Sequence, residues 1–252
     1  MAIGRFRTRL EGEHATAILT GLLFFLGAAL TQIPLFDVLG YESSAAVAGA
    51  LFVLGGPMFV TPLRDGVFAE WTARTGRGLL AALFPLILLL LNARAVPNCA
   101  PWTGAQFYAL IVVGGVAVAA AWGVAVASVF RRRWARWLGW YALVLASLVS
   151  TAHYLLLEPP VVAGNAVIGY FAGSIYDEAL SIPEQLVVYR FWNLVFGLFV
   201  LLALDILAQR RSGRAAGTAR IVGLVGTATT FLTMSLAGEE VEGGPSRCSC
   251  TI

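Results

Sequence analysis

Stretches of about twenty apolar residues, broken by short polar segments, recur along the whole chain. A bilayer core about 30 Å thick is crossed by about 20 apolar residues in a helix. The pattern predicts spans at residues 15–36, 44–63, 78–93, 107–130, 138–157 and 191–208. A seventh, at 221–238, is free of charge but rich in Gly, Thr and Ser, so six spans is the fallback. The 78–93 run is short and contains Pro85, and its neighbours are expected to lengthen it. The expected fold class is all-α, a polytopic transmembrane helical bundle. The chain then divides into a basic tail at 1–14, the bundle at 15–238 with an outer loop at 159–189, and a polar tail at 239–252.

Composition leads to the same solvent. Of 252 residues, 59% are hydrophobic and 12% charged, against about 25% charged in a soluble domain. All 17 basic residues are arginine, a usage that fits a GC-rich bacterial genome and hence a bacterial inner membrane. The arginines alternate with the connections. Fourteen fall on one side (Arg5, Arg7, Arg9; Arg64, Arg74, Arg77; Arg131, Arg132, Arg133, Arg136; Arg210, Arg211, Arg214, Arg220), and three on the other (Arg94, Arg190, Arg247). Arginine collects on the cytoplasmic side, which places the N-terminus inside and, with seven spans, the C-terminus outside. Trp134, Trp137 and Trp140 are expected at the inner headgroup level. Trp102, Phe107, Tyr108, Tyr189 and Trp192 are expected at the outer one. The first apolar run is about 22 residues, longer than a signal peptide's core, and is read as an uncleaved span.

Charge and cysteine content exclude other classes. A net charge of +3 with no separate basic domain and no zinc-finger or RNA-binding motif argues against a nucleic-acid partner. Cys99, Cys248 and Cys250 make no disulfide framework. The C-x-C at 248–250 lacks the second pair of a structural zinc site.

Three features inside the spans bear on packing. Gly115, Ala119, Gly123 and Ala127 form a small-residue stripe that admits a close neighbour, either within the bundle or in a homo-oligomer. Pro57 after Gly55 and Gly56 is expected to kink the second span, with a broken helix at a transport site as the alternative. Asp205 near the inner end of the sixth span is expected to pair with Arg210 and Arg211.

Motifs that specify a reaction are absent: no P-loop, no H-E-x-x-H and no G-x-S-x-G. Polar groups gather instead where the fifth and sixth spans meet the outside. Ser147, Ser150, Thr151, Tyr154 and Glu158 share one helical face, and His153 lies about 100° off it. Tyr189, Arg190 and Asn193 share a face at the start of the sixth span, and Glu158 and Arg190 bracket the loop between. The functional reading is an outward-facing pocket of His153, Tyr154, Glu158, Tyr176, Asp177, Glu178, Arg190 and Asn193, with a bound metal left open and no cofactor expected. The structural reading is hydroxyls bonded to helix carbonyls plus one interfacial ion pair. Ser181-Ile-Pro-Glu184 is a capping-box pattern, so the sixth helix is expected to start near Ile182. Residues 161–173 are expected to lie in the interface or re-enter the membrane, and 174–177 offers a second cap.

The string G-Y-F-x-G-x-I-Y-D-E-x-L, at 169–180, resembles a segment of bacterial multi-pass membrane regions, some of which precede a soluble zinc-peptidase-like domain. The resemblance implies a chain like the membrane half of such proteins, with 239–252 as a stub. No zinc-binding helix is present, so peptidase activity is not implied. The expected role is an anchoring, sensing or assembly component whose partners are the lipid bilayer and a protein at the outer loop 159–189. The alternatives are a small transporter or permease subunit using the polar face of the fifth span, and a membrane enzyme.

Overall fold

The computed structural model describes residues 2–96, 101–157, 163–165, 168–171, 182–211 and 217–242. A chain with no water to bond must satisfy its backbone within helices, and here helix dominates. The helices are α1 (Ala2–Leu30), α2 (Tyr41–Leu54), α3 (Gly56–Phe59), α4 (Val67–Asn92), α5 (Pro101–Tyr108) and α6 (Gly114–Val129). They continue with α7 (Arg133–Leu157), α8 (Glu184–Arg211) and α9 (Thr218–Glu242). A π-helical turn, Ala109–Val113, joins α5 to α6 in one unbroken rod. The strands among the described residues form a hairpin of β1 (Ala163–Asn165) and β2 (Gly169–Phe171). It stands in the glycine-rich loop read from sequence as interfacial or re-entrant.

Four helical stretches among the described residues are long and apolar enough to cross a membrane: Gly12–Leu30, Val67–Asn92, Pro101–Val129 and Glu184–Arg211. The longest of them, at 1.5 Å per residue, reaches roughly 40 Å, more than the hydrocarbon core needs. Tyr41–Leu54 and Arg220–Thr233 are apolar but shorter. Large apolar side chains face outward, with Ile18 at 65%, Phe25 at 72% and Val222 at 64% exposure, while Glu70, Arg74, Arg190 and Asn193 are buried.

Several elements differ from the sequence reading. Helix α1 starts at Ala2, so residues 2–14 of the basic segment continue into the first apolar run. Helix α4 starts at Val67 rather than at residue 78, which puts Arg74 and Arg77 on the helix and not in a connection. Helix α8 starts at Glu184, two residues after the expected Ile182; the capping Ser181 and the second cap at 174–177 lie outside the described residues. The second span does not merely kink at Pro57 but breaks into α2 and α3. Pro57 has no N–H to give the Val53 carbonyl one turn back, and Trp140 of α7 packs into the break beside it. Its indole N–H donates to the Phe52 carbonyl at 3.2 Å. Its ring lies 5.1 Å from Phe52 and 5.5 Å from Phe59. A Cβ on Gly56 would sit 2.7 Å from that ring, so glycine is required there. Trp140 is therefore fully buried, not interfacial; Phe107 and Tyr108 are buried as well, while Trp102 and Trp134 are exposed.

Helix α6 lies at the centre, packed on α2, α3, α4, α7 and α8, while α1 packs along α4 and α9 packs chiefly on α8. Gly115, Ala119 and Gly123 are buried within the chain and Ala127 is half-buried. Asp205 does not meet Arg210 or Arg211. Its carboxylate pairs with Arg220 of α9 at 2.7 Å and accepts from Gln209 at 3.0 Å. Residues five and six positions along a helix lie about 140° and 240° around from Asp205, whereas α9 is packed against its own face. The stacks of Phe231 on Trp192 and Phe196 continue the same α8–α9 seam.

Truncating the side chain that fills the break, Trp140→Ala, is expected to cost about 3–5 kcal/mol of stability. Leu145→Ala, at an exposed site on the same helix, is expected to cost under about 1 kcal/mol. Unfolding in mixed micelles, titrated with a denaturing detergent, measures both.

Candidate functional site: two buried arginines and a docked hairpin

On α8, Leu186, Arg190, Asn193 and Gly197 recur at spacings of four, three and four, so they share one helical face. That face is turned inward: Leu186, Arg190 and Asn193 are buried, Arg190 to 1% exposure. The Arg190 side chain crosses to the rod. Its Nη2 donates to the carbonyl of Ile111, at 3.3 Å, inside the π-turn. Gly114 makes the approach possible, since a Cβ there would lie 2.6 Å from the Arg190 Cδ. From the other side Gly169 of β2 covers the guanidinium with φ +91°, a conformation L side chains rarely adopt. A Cβ on Gly169 would lie 2.8 Å from Leu186 and 3.2 Å from the Arg190 Nη2. Tyr41 and Tyr189 lie within electrostatic reach of the same guanidinium. Asn193 donates back to the Tyr189 carbonyl at 3.1 Å.

The hydroxyl face of α7 is met by the hairpin. Asn165 Nδ2 donates to Thr151 Oγ1 at 2.7 Å and to Ser147 Oγ at 3.2 Å. Asn165 Oδ1 accepts the Ile168 N–H at 3.1 Å, which closes the hairpin turn. Thr151 in turn donates to the Ser147 carbonyl at 3.0 Å. With β1 against α7 and β2 against α8, the hairpin ties the outer ends of two helices together. Polar groups that read as a pocket wall thus serve as the hairpin's seat.

Of the residues singled out from sequence, Arg190 and Asn193 lie together on α8. His153 is on α7 but exposed. Tyr154 belongs to the same helix, and its side chain lies outside the described residues, as do Glu158, Tyr176, Asp177 and Glu178 entirely. Among the described residues no group of three His, Cys, Asp or Glu could hold a metal ion.

A second buried arginine, which sequence reading put in a connection, organises the other end of the bundle. Arg74 of α4 is fully buried. Its Nη1 donates to the Phe59 carbonyl at 2.6 Å, and its Nη2 to the Thr61 carbonyl at 2.7 Å. Glu70, one turn earlier, faces it at 3.2 Å and accepts the Arg64 N–H at 3.0 Å through its other oxygen. The pattern Glu70-x-x-x-Arg74 is the signal that was available, an i,i+4 acid–base pair on one helix face. The charge is matched by one carboxylate and its donors by carbonyls, so this network holds backbone rather than substrate.

Glu70→Gln leaves a buried guanidinium without its counter-charge and is expected to destabilise by about 3–5 kcal/mol. The double change Glu70→Gln with Arg74→Met is expected to recover part of that loss, as read from detergent unfolding of both variants. Asn165→Leu removes both bonds to α7 and is expected to weaken hairpin docking by about 1–3 kcal/mol. Amide hydrogen exchange should then rise across 163–171 and stay unchanged in α4. No protein-family model, curated protein or solved structure matches the chain.

Proposed function

We propose that this chain is a multi-pass integral membrane protein of the bacterial inner membrane with seven spans, its N-terminus cytoplasmic and its C-terminus outside. Its role is that of an anchoring, sensing or assembly component, and the outer loop 159–189 is its contact surface. The observation that supports this role is the two-sided seating of the hairpin, by Asn165 on Ser147 and Thr151 of α7 and by Gly169 over Arg190 of α8. A hairpin seated by hydrogen bonds on α7 and by close packing on α8 has a fixed base, as a docking surface requires. A permease would need the hydroxyl face of α7 open to its substrate, whereas Asn165 occupies it. The alternation of arginines, fourteen against three, supports the orientation.

Reporter fusions test the topology. Fusions in the connections at 61–66 and 130–132 should report cytoplasm, and one after residue 242 should report the outside. A cytoplasmic C-terminus would reduce the count to six. For the role, a photo-crosslinker placed at Tyr176 or Glu178 should capture one recurrent protein, and capture should fall when Asn165→Leu loosens the hairpin. Equal capture from an exposed lipid-facing position such as Leu80 would sink the docking surface.

A further inference from the structure

The turn between α6 and α7 carries three consecutive arginines, Arg131, Arg132 and Arg133. The rod ends at Val129, Phe130 is extended (φ −101°, ψ 118°), and α7 opens at Arg133. Arg131, Arg132 and Arg133 are all exposed there. Two exposed aromatic residues flank them, Phe130 at 38% and Trp134 at 62%. One turn further on, Arg136 is buried and lies within electrostatic reach of Arg74, as does Arg77. Arg64 lies within reach of Arg77 in turn. The acids recorded within reach of Arg74 and Arg77 are Glu70 and Glu13, and Glu70 is already engaged by Arg74 and the Arg64 N–H. This end of the bundle gathers guanidinium groups from the 61–66 connection, α4 and α7.

We infer that the α6–α7 turn is a docking site for the phosphodiester headgroups of anionic phospholipids. The inference rests on the membrane reading above. Guanidinium groups bind phosphate oxygens in pairs through a planar fork. Aromatic rings such as Trp134 settle at the headgroup level and set the depth of the arginines between them. Basic residues at a membrane surface each strengthen attachment to an anionic leaflet about fivefold. The site also has a route to the fold. Arg136 and Trp140 stand one helical turn apart on α7, both buried, and Trp140 is the ring that fills the α2–α3 break. A headgroup that fixes the turn steadies that ring, so bound anionic lipid raises the stability of the whole bundle.

The test uses the full chain in nanodiscs of phosphatidylcholine with phosphatidylglycerol or cardiolipin as the minor component. Lipid retained after detergent extraction is quantified by mass spectrometry, and the thermal midpoint is followed in parallel. The wild type should retain anionic lipid well above its bulk ratio and melt higher than in pure phosphatidylcholine. Arg131→Gln with Arg132→Gln changes two exposed side chains and leaves the Arg132 carbonyl that accepts from Arg136. It should lower retention about fivefold for each charge removed and abolish the thermal gain. Retention at the bulk ratio, or unchanged retention in the double variant, overturns the inference. So does equal stabilisation by inorganic phosphate in pure phosphatidylcholine, which would make the site one for free anions. A chain that fails to enter the bilayer fraction overturns instead the membrane reading beneath it.

Discussion

A backbone carbonyl released inside lipid has to find a donor, because no water is there to supply one. Where the helices of this bundle break, widen or bend back, side chains from other helices donate to backbone carbonyls. Trp140 of α7 takes Phe52 at the α2–α3 break. Arg74 of α4 takes Phe59 and Thr61 beyond it. Arg190 of α8 takes Ile111 in the π-turn. Trp71 also reaches Ala117 inside α6 and Tyr108 reaches Ala82 inside α4, while Asn92 reaches Asp37 in a connection. The irregular backbone and the buried polar side chains explain one another: neither is tolerable in hydrocarbon without its partner.

These bonds need backbones close together, and glycine supplies the distance. A Cβ on Gly123 of α6 would strike the Phe59 carbonyl at 2.3 Å, the same carbonyl that Arg74 holds. A Cβ on Gly27 of α1 would lie 2.8 Å from the backbone of Pro85 in α4. Association of helices in lipid depends on such packing, since the tails are as apolar as leucine. The central position of α6 follows from its composition of Gly, Ala and Val, which offers neighbours a shallow surface on every side.

The candidate site was half legible. Arg190 and Asn193 were visible as polar residues sharing a helical face with Tyr189, whereas their burial against the rod comes from packing that spacing does not specify. The hydroxyls of Ser147 and Thr151 were visible as a face of α7, but their partner was not. Asn165 stands fourteen residues beyond Thr151 in a glycine-rich loop, and only the hairpin turn brings its amide there. Arg74 was misplaced because a charged residue near an apolar run reads as its boundary. Glu70 at i−4 and two free carbonyls make a buried arginine affordable, and the carbonyls come from a segment that bends back only in three dimensions.

The sequence by itself determined the helical class and runs long and apolar enough to suit a membrane. Repeated apolar runs with so little charge leave lipid as the medium, and lipid leaves helix as the backbone's answer. Helix is found at each of the seven runs read from the pattern. Tertiary structure decided where those helices stop and which polar residues turn inward. Pro57 allowed either a kink or a break, and the indole of Trp140 made it a break. Asp205 had two arginines near it in sequence, and packing of α9 gave it a third. The reason is common to both cases. Apolar periodicity acts between neighbours along the chain, whereas the donor for a freed carbonyl, or the cation for a buried acid, comes from whichever helix is packed alongside.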